Sequence, residues 1–206
     1  SPDGTLYVRD MFNLYVYENF LYTMNLTGQQ IKDFLEYSYQ YWFDTMPNEG
    51  NHLIAFQRDK DGKLILDNRT NMPMTATRYY NYDSAAGINY VVDVSKPAGE
   101  RVSIYCMSDG RAFNPKATYT VAINSYRASG GGGHLEKGAG LDKDTILSMK
   151  LVNGATTKDL RYFLLKWFEK QEETITVWPL GNWEVIPEDL AAIGRANDYP
   201  LLYPSK

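Results

Sequence analysis

Ala122 to His134 reads AINSYRASGGGGH, and the architecture of the chain hangs on that stretch. Tyr119 to Ile123 (YTVAI) is a short β-rich run that predicts a half-buried strand. Tyr126 and Arg127 follow at once, and Gly130 to Gly133 are four consecutive glycines. A strand that fixes an aromatic and an arginine beside a glycine loop makes a ligand wall, because glycine lets backbone N–H groups approach with no Cβ in the way. The same four glycines also read as a flexible surface turn.

Working outward, Lys116 to Asn124 is the strand that feeds this stretch. Upstream, Gly87 to Val94 (GINYVVDV) and Arg101 to Met107 are two strands separated by a Ser95–Gly99 turn, which pair as a hairpin. Further upstream, Phe20 to Leu26 (FLYTMNL) predicts a strand with Phe20, Tyr22, Met24 and Leu26 on one face. Thr27-Gly-Gln-Gln30 fits a capping box. Behind it Ile31, Phe34, Leu35, Tyr39 and Trp42 form an apolar stripe with Ser38 as its one small polar member, so a helix starts there. Tyr7 to Tyr15 predicts a short helix, and Pro47 to Arg78 is irregular, with Asp59-Lys-Asp-Gly62 as a hairpin or loop signal. Downstream, Thr156 to Lys170 predicts the second main helix with Asp159 in its first turn. Thr174 to Trp178 and Trp183 to Pro187 predict strands, and Glu188 to Ile193 a weak helix before a Pro-containing coil. The expectation is an α+β fold, a mixed or antiparallel sheet with two main helices, in one domain over residues 1–206.

Composition removes several function classes. With 206 residues, 44% of them hydrophobic, the chain can bury a sizeable core. A net charge of −4 offers no electrostatic footprint for a nucleic-acid polymer or an anionic membrane. No window approaches the roughly 18 apolar residues that span a bilayer. Cys106, the single cysteine, excludes an intramolecular disulfide and reads as a buried, inert thiol. His52 and His134 stand far apart with no paired cysteines, so no metal site is expected within the chain. Ser125 and Cys106 have no recognisable base partner, and His134-Leu-Glu-Lys137 breaks a phosphate-binding P-loop pattern. Glu172 and Glu173 read as solvated surface. No catalytic residue is therefore expected here. What remains is an aromatic-rich surface: 17 Tyr, 8 Phe and 4 Trp.

Three separated blocks resemble one family. Tyr17-Glu18-Asn19, Leu26-Thr27-Gly28 and Leu35-Glu36 form the first; Gly87-Ile-Asn-Tyr90, Asp93, Lys96-Pro97 and Arg101-Val102 the second; Ala122 to Gly133 the third. Together they resemble the 5′-nucleotidase C-terminal domain. Tyr80-Asn81-Tyr82-Asp83 and Asn124-Ser-Tyr-Arg127 lean towards its 2′,3′-cyclic-nucleotide 2′-phosphodiesterase/3′-nucleotidase branch.

The resemblance implies a two-domain, periplasmic or secreted enzyme. An N-terminal metallophosphoesterase domain, expected before residue 1, holds two divalent metal ions and performs the hydrolysis. The C-terminal domain grips a nucleoside or nucleotide between two aromatic rings, and a domain rotation carries it to the metals. The ring positions fall on Tyr17 and Tyr126, with Tyr15 as the alternative first ring, and Asn19 matches a base-contacting asparagine. Gly130, Gly131 and Gly132 are expected against ribose or phosphate. Arg127 pairs either with phosphate or in a structural salt bridge, and Asn81 and Asp83 either line the site or simply form a turn. Where the family often has an aspartate on the ribose side, this chain has Gly132, a departure that suits a cyclic or 3′-phosphorylated substrate. The chain alone is expected to hydrolyse nothing. The competing expectation is a non-catalytic aromatic platform that binds glycans or a protein partner.

Overall fold

A computed structural model describes residues 4–171 and 174–203. Glu172, Glu173 and the end of the expected C-terminal coil lie outside the described residues. In chain order the main elements are α1 (Asp10–Leu14), β1 (Phe20–Thr27), α2 (Gly28–Trp42), β2 (Ile88–Asp93), β3 (Val102–Met107), β4 (Thr118–Asn124), α3 (Ser125–Ala128), α4 (Lys143–Leu147), β5 (Val152–Asp159), α5 (Leu160–Phe168), β6 (Trp183–Ile186) and α6 (Glu188–Leu202). The strands form two three-stranded sheets, not one. The first, in the order β4-β1-β5, is antiparallel; in the second, β3-β2-β6, the hairpin partner β3 is antiparallel and β6 is parallel to the central strand.

Helix α2 is the wall shared by the two sheets. The Thr27 side chain accepts from the Gln30 N–H at 3.2 Å, and the Gln30 side chain accepts from the Thr27 N–H at 2.8 Å, so the expected capping box starts it. Leu35 and Tyr39 on one side join Ile88, Tyr90, Val92 and Val102 of the mixed sheet. On the other side Met24 and Leu26 of β1 pack with Ala128, Leu135 and Ile146, and Ile31 and Phe34 touch both clusters. Two buried charges lock α2 to β3. Glu36 accepts from the N–H groups of Arg101 (3.1 Å) and Val102 (2.7 Å). The Arg101 guanidinium donates to the carbonyls of Tyr39 and Phe43 and so closes the helix C-terminus.

The structure corrects the expected elements at several places. Residues 156–159 are the end of strand β5, not the start of the second helix. Asp159 caps that helix by accepting from the Tyr162 N–H at 2.9 Å, which sets α5 to begin at Leu160. The β-branched Thr156 belongs to the sheet, where its hydroxyl accepts from the Leu21 N–H. Residues 174–178 form no strand, and Val177 is 88% exposed. The C-terminal helix runs to Leu202 instead of ending at Ile193, with Pro200 in its last turn. Tertiary contacts carry it, because Asp198 accepts from the N–H groups of Leu53 and Ile54 and from His52 Nδ1, and Asn197 donates to the carbonyls of Glu49 and Asn51. The first helix is only five residues long, and Cys106 is half-buried, with Asn89 donating to its sulfur. The Asp59–Gly62 turn and the β2–β3 hairpin form as expected.

Candidate functional site

At one end of the antiparallel sheet, the start of β1, the end of β4 and the end of β5 lie side by side, since Leu21 pairs with Asn124 and Phe20 with Asp159. The segment before β1 and the turn after β4 therefore emerge together. Asn124 caps the short helix α3 by accepting from the Arg127 N–H at 2.8 Å. One helical turn then separates the two neighbours in space: Tyr126 is 45% exposed and Arg127 is 2% exposed. Ser125 ties the turn to the incoming segment. Its hydroxyl accepts from the Phe20 N–H at 3.0 Å and donates to Asn19 Oδ1 at 3.4 Å.

Asn19 in turn donates to the Tyr15 hydroxyl at 3.2 Å, so Tyr15 is half-buried as a support for Asn19. Tyr17 instead projects at 48% exposure, with its ring edge-on to Tyr80 at 5.7 Å and 73°. Partial desolvation, then the neighbouring Tyr79 and Tyr80 phenols, raise the Tyr17 pKa above its ordinary value. Of the two tyrosines in this segment, Tyr17 is the more exposed.

Arg127 occupies the middle of the site. Its Nε donates to Asp83 Oδ2 (2.5 Å), Nη2 to Asp83 Oδ1 (3.2 Å) and the Tyr80 carbonyl (2.9 Å), and Nη1 to Asn81 Oδ1 (3.3 Å) and the Gly131 carbonyl (3.1 Å). A guanidinium has five N–H bonds. All five donors meet protein acceptors, and the contact with Asp83 is a salt bridge. Asn81 and Asp83 are its acceptors, on the turn that follows Arg78.

The glycine loop is wound tightly against these groups. Gly131 to Gly133 make a 3-10 turn that runs into a π-helical turn from His134 to Gly138. A Cβ on Gly131 would lie 2.5 Å from Tyr126 Cε2, and one on Gly132, where φ is 74°, would fall on the Arg127 guanidinium and Asn81 Oδ1. Glycine is required at both positions by close approach, and the loop is a packed wall rather than a loose surface turn.

In the sequence His134 stands out only for the patterns it breaks, those of a metal site and of a P-loop. The structure buries it completely between Phe34 (4.8 Å) and Tyr37 (5.2 Å). Neither ring nitrogen reaches hydrogen-bond geometry with a described group, and Nε2 lies 3.8 Å from Asp83 Oδ2. Burial and then the Arg127 charge push its pKa down to about 4, while Asp83 and the Asn81 and Gly132 backbones pull the other way. The imidazole is neutral at pH 7. It lines a cavity of about 230 Å³ with Tyr37, Tyr41, Thr77, Asn81 and Gly132. Nothing in the sequence signalled this, because burial of a lone histidine depends on the path of α2.

A larger cleft of about 760 Å³ runs between the two sheets over Phe34 and Leu35, ending at Asp83, Asn124 and Arg127; Tyr17 and Tyr126 stand outside its lining. Among the described residues no group of three or more His, Cys, Asp or Glu is placed to hold a metal ion, and no helix is long and apolar enough to cross a membrane.

Comparison with known proteins agrees with this architecture. The family model for the 5′-nucleotidase C-terminal domain matches residues 1–137. The trifunctional nucleotide phosphoesterase YfkN of Bacillus subtilis is 29% identical over 197 residues, covering 90% of this chain and 12% of that protein. The 2′,3′-cyclic-nucleotide 2′-phosphodiesterase/3′-nucleotidase of Salmonella typhimurium is 32% identical over 142 residues, covering 62% of this chain and 19% of that protein. The chain thus spans less than a fifth of the length of these two relatives. The crystal structure of a 5′-nucleotidase precursor from Thermus thermophilus superposes with a TM-score of 0.55 at 19% identity, over 89% of this chain and 28% of that one, which shows the shared fold. In sequence and in fold, the chain belongs to the 5′-nucleotidase C-terminal domain family.

Proposed function

We propose that this chain is the nucleotide-binding part of a phosphoric ester hydrolase, which holds a base between the rings of Tyr17 and Tyr126. The observation that carries this reading is a pair of half-exposed tyrosines at one end of a sheet, each resting on a fixed support, Tyr80 for the first and Gly131 for the second. A base stacked on an aromatic gains roughly 1–3 kcal/mol, and stacking tolerates different bases. Asn19 still has an amide hydrogen and a carbonyl lone pair beyond its bonds to Tyr15 and Ser125, enough to read a base edge. The backbone of Gly130 to Gly132 faces the ribose or phosphate.

Hydrolysis itself belongs to the rest of a longer, periplasmic or secreted protein, whose preceding domain supplies a divalent metal pair. This chain binds and orients the substrate. The relatives that are 2′,3′-cyclic-nucleotide 2′-phosphodiesterase/3′-nucleotidases support a cyclic or 3′-phosphorylated substrate.

Calorimetric titration with adenosine and 3′-AMP tests this reading. The wild type is expected to bind both, and Tyr126→Ala to weaken adenosine by roughly 5- to 150-fold, the equivalent of one lost stacking face. Equal binding by a Tyr17→Ala plus Tyr126→Ala variant contradicts it. A response to oligosaccharides and none to nucleosides marks an aromatic glycan platform instead.

A further inference from the structure

We propose that Arg127 is a positioning residue that sets the Tyr17 and Tyr126 walls relative to each other, and not a ligand for phosphate; this rests on the reading of those two rings as the base-binding pair. The Tyr17 segment and the Tyr126 turn emerge together from the paired strands β1 and β4, but the groups behind the two rings do not: no strand pairing joins the Tyr79–Asn81 turn, which backs Tyr17, to the glycine loop, which backs Tyr126. Arg127 joins them. Its donors reach the Tyr80 carbonyl, Asn81 and Asp83 on one side and the Gly131 carbonyl on the other. Tyr80 carries the edge contact to Tyr17, and the Tyr126 ring rests on Gly131. The Arg127 guanidinium carbon also sits 5.3 Å from the Tyr126 ring centre.

The chemistry calls for arginine. A planar fork with five donors can meet a carboxylate through two bonds and three further acceptors at once, whereas lysine offers three donors on one atom. The space it fills explains Gly132 as well, since any side chain there would fall on the guanidinium. Arginine at 127 and glycine at 132 form one device. A slot whose walls are fixed in advance spares the ligand the ordering of both rings.

The test compares wild type with Arg127→Met and Arg127→Lys in calorimetric titrations with adenosine and 3′-AMP, with folding checked by thermal melting. Both variants are expected to weaken both ligands by the same factor, about tenfold or more. The ratio of the two affinities then stays at its wild-type value, and lysine does not rescue. A loss confined to 3′-AMP, a wild-type affinity in Arg127→Lys, or unchanged affinities in Arg127→Met would each overturn the proposal. Where Arg127→Met does not fold, Asp83→Asn takes its place under the same criteria.

A second readout needs no ligand. Nuclear Overhauser contacts between the Tyr17 and Tyr80 rings, and between the Tyr126 ring and Gly131, are expected to vanish in the variant while those between the core Tyr39 and Tyr90 rings persist. Survival of both site contacts in a folded variant overturns the proposal. If the wild type binds neither ligand, the base-binding reading fails, and the ring contacts still decide the role of Arg127.

Discussion

Arg127 holds a full charge almost out of reach of water, and that is tolerable only because every N–H meets an acceptor and Asp83 supplies the opposite charge. Removing the carboxylate leaves the guanidinium buried and unpaired, so Asp83→Ala is expected to lose about 3–5 kcal/mol in urea denaturation, and Asp83→Asn less. His134 lies against the same node and makes a prediction of opposite character. Its folded pKa is about 4, below the ordinary 6.5, so between those values the unfolded chain binds the extra proton. Stability from this residue is complete above pH 6.5 and is lost as pH falls towards about 4, to a limit of about 3 kcal/mol. The groups that face it are Asp83, Arg127 and the Tyr37 phenol. Replacing His134 with Phe is expected to flatten this part of the stability–pH curve relative to wild type, as measured by urea midpoints across the range. An unchanged slope would mean that the ring is already solvated in the folded chain.

At the level of elements, α2 and its two charge locks hold the sheets in place. Both oxygens of Glu36 accept backbone N–H groups at the start of β3. Glu36→Gln puts an NH2 against one of those donors and is expected to cost about 1–3 kcal/mol in denaturant unfolding, despite its nearly identical shape. The reasons α2 was legible in the sequence are local: the Thr27–Gln30 box and the stripe from Ile31 to Trp42 need only neighbouring residues. The β2–β3 hairpin was legible for the same reason. By contrast, the parallel pairing of β2 with β6 joins Tyr90 to Trp183, and no local pattern encodes a partner so far along the chain. The extension of α6 through Pro200 likewise depends on Asp198 and Asn197 finding backbone partners near residues 49–54. Residues 174–178 show the converse: a β-rich run that pairs with no described strand stays mostly exposed, since β propensity alone does not make a strand. In the candidate site, the sequence pointed to Tyr17, Tyr126 and the glycines through their blocks, but Tyr80 as a support and His134 as a buried neighbour follow only from how those blocks pack.

At the scale of the whole molecule, the proposed function makes the chain a binding part that presents a base at one end of an antiparallel sheet and leaves the chemistry to the rest of a longer protein. Purified alone, the chain is expected to show no metal-dependent hydrolysis of 2′,3′-cyclic AMP or 3′-AMP; turnover that survives repurification would contradict this division of labour. Its folded state should also gain thermal stability from adenosine, since a ligand that binds only the native chain raises the melting temperature with concentration. The architecture offers two quite different places for a flat heterocycle: the exposed rings of Tyr17 and Tyr126, and the apolar cleft between the sheets that Phe34, Phe113 and Val121 help to line. A crystal structure of the chain with 3′-AMP chooses between them. The account predicts the base lying flat between the Tyr17 and Tyr126 rings with Asn19 at its edge; a base seated in the cleft, with both tyrosine rings bare, would contradict it.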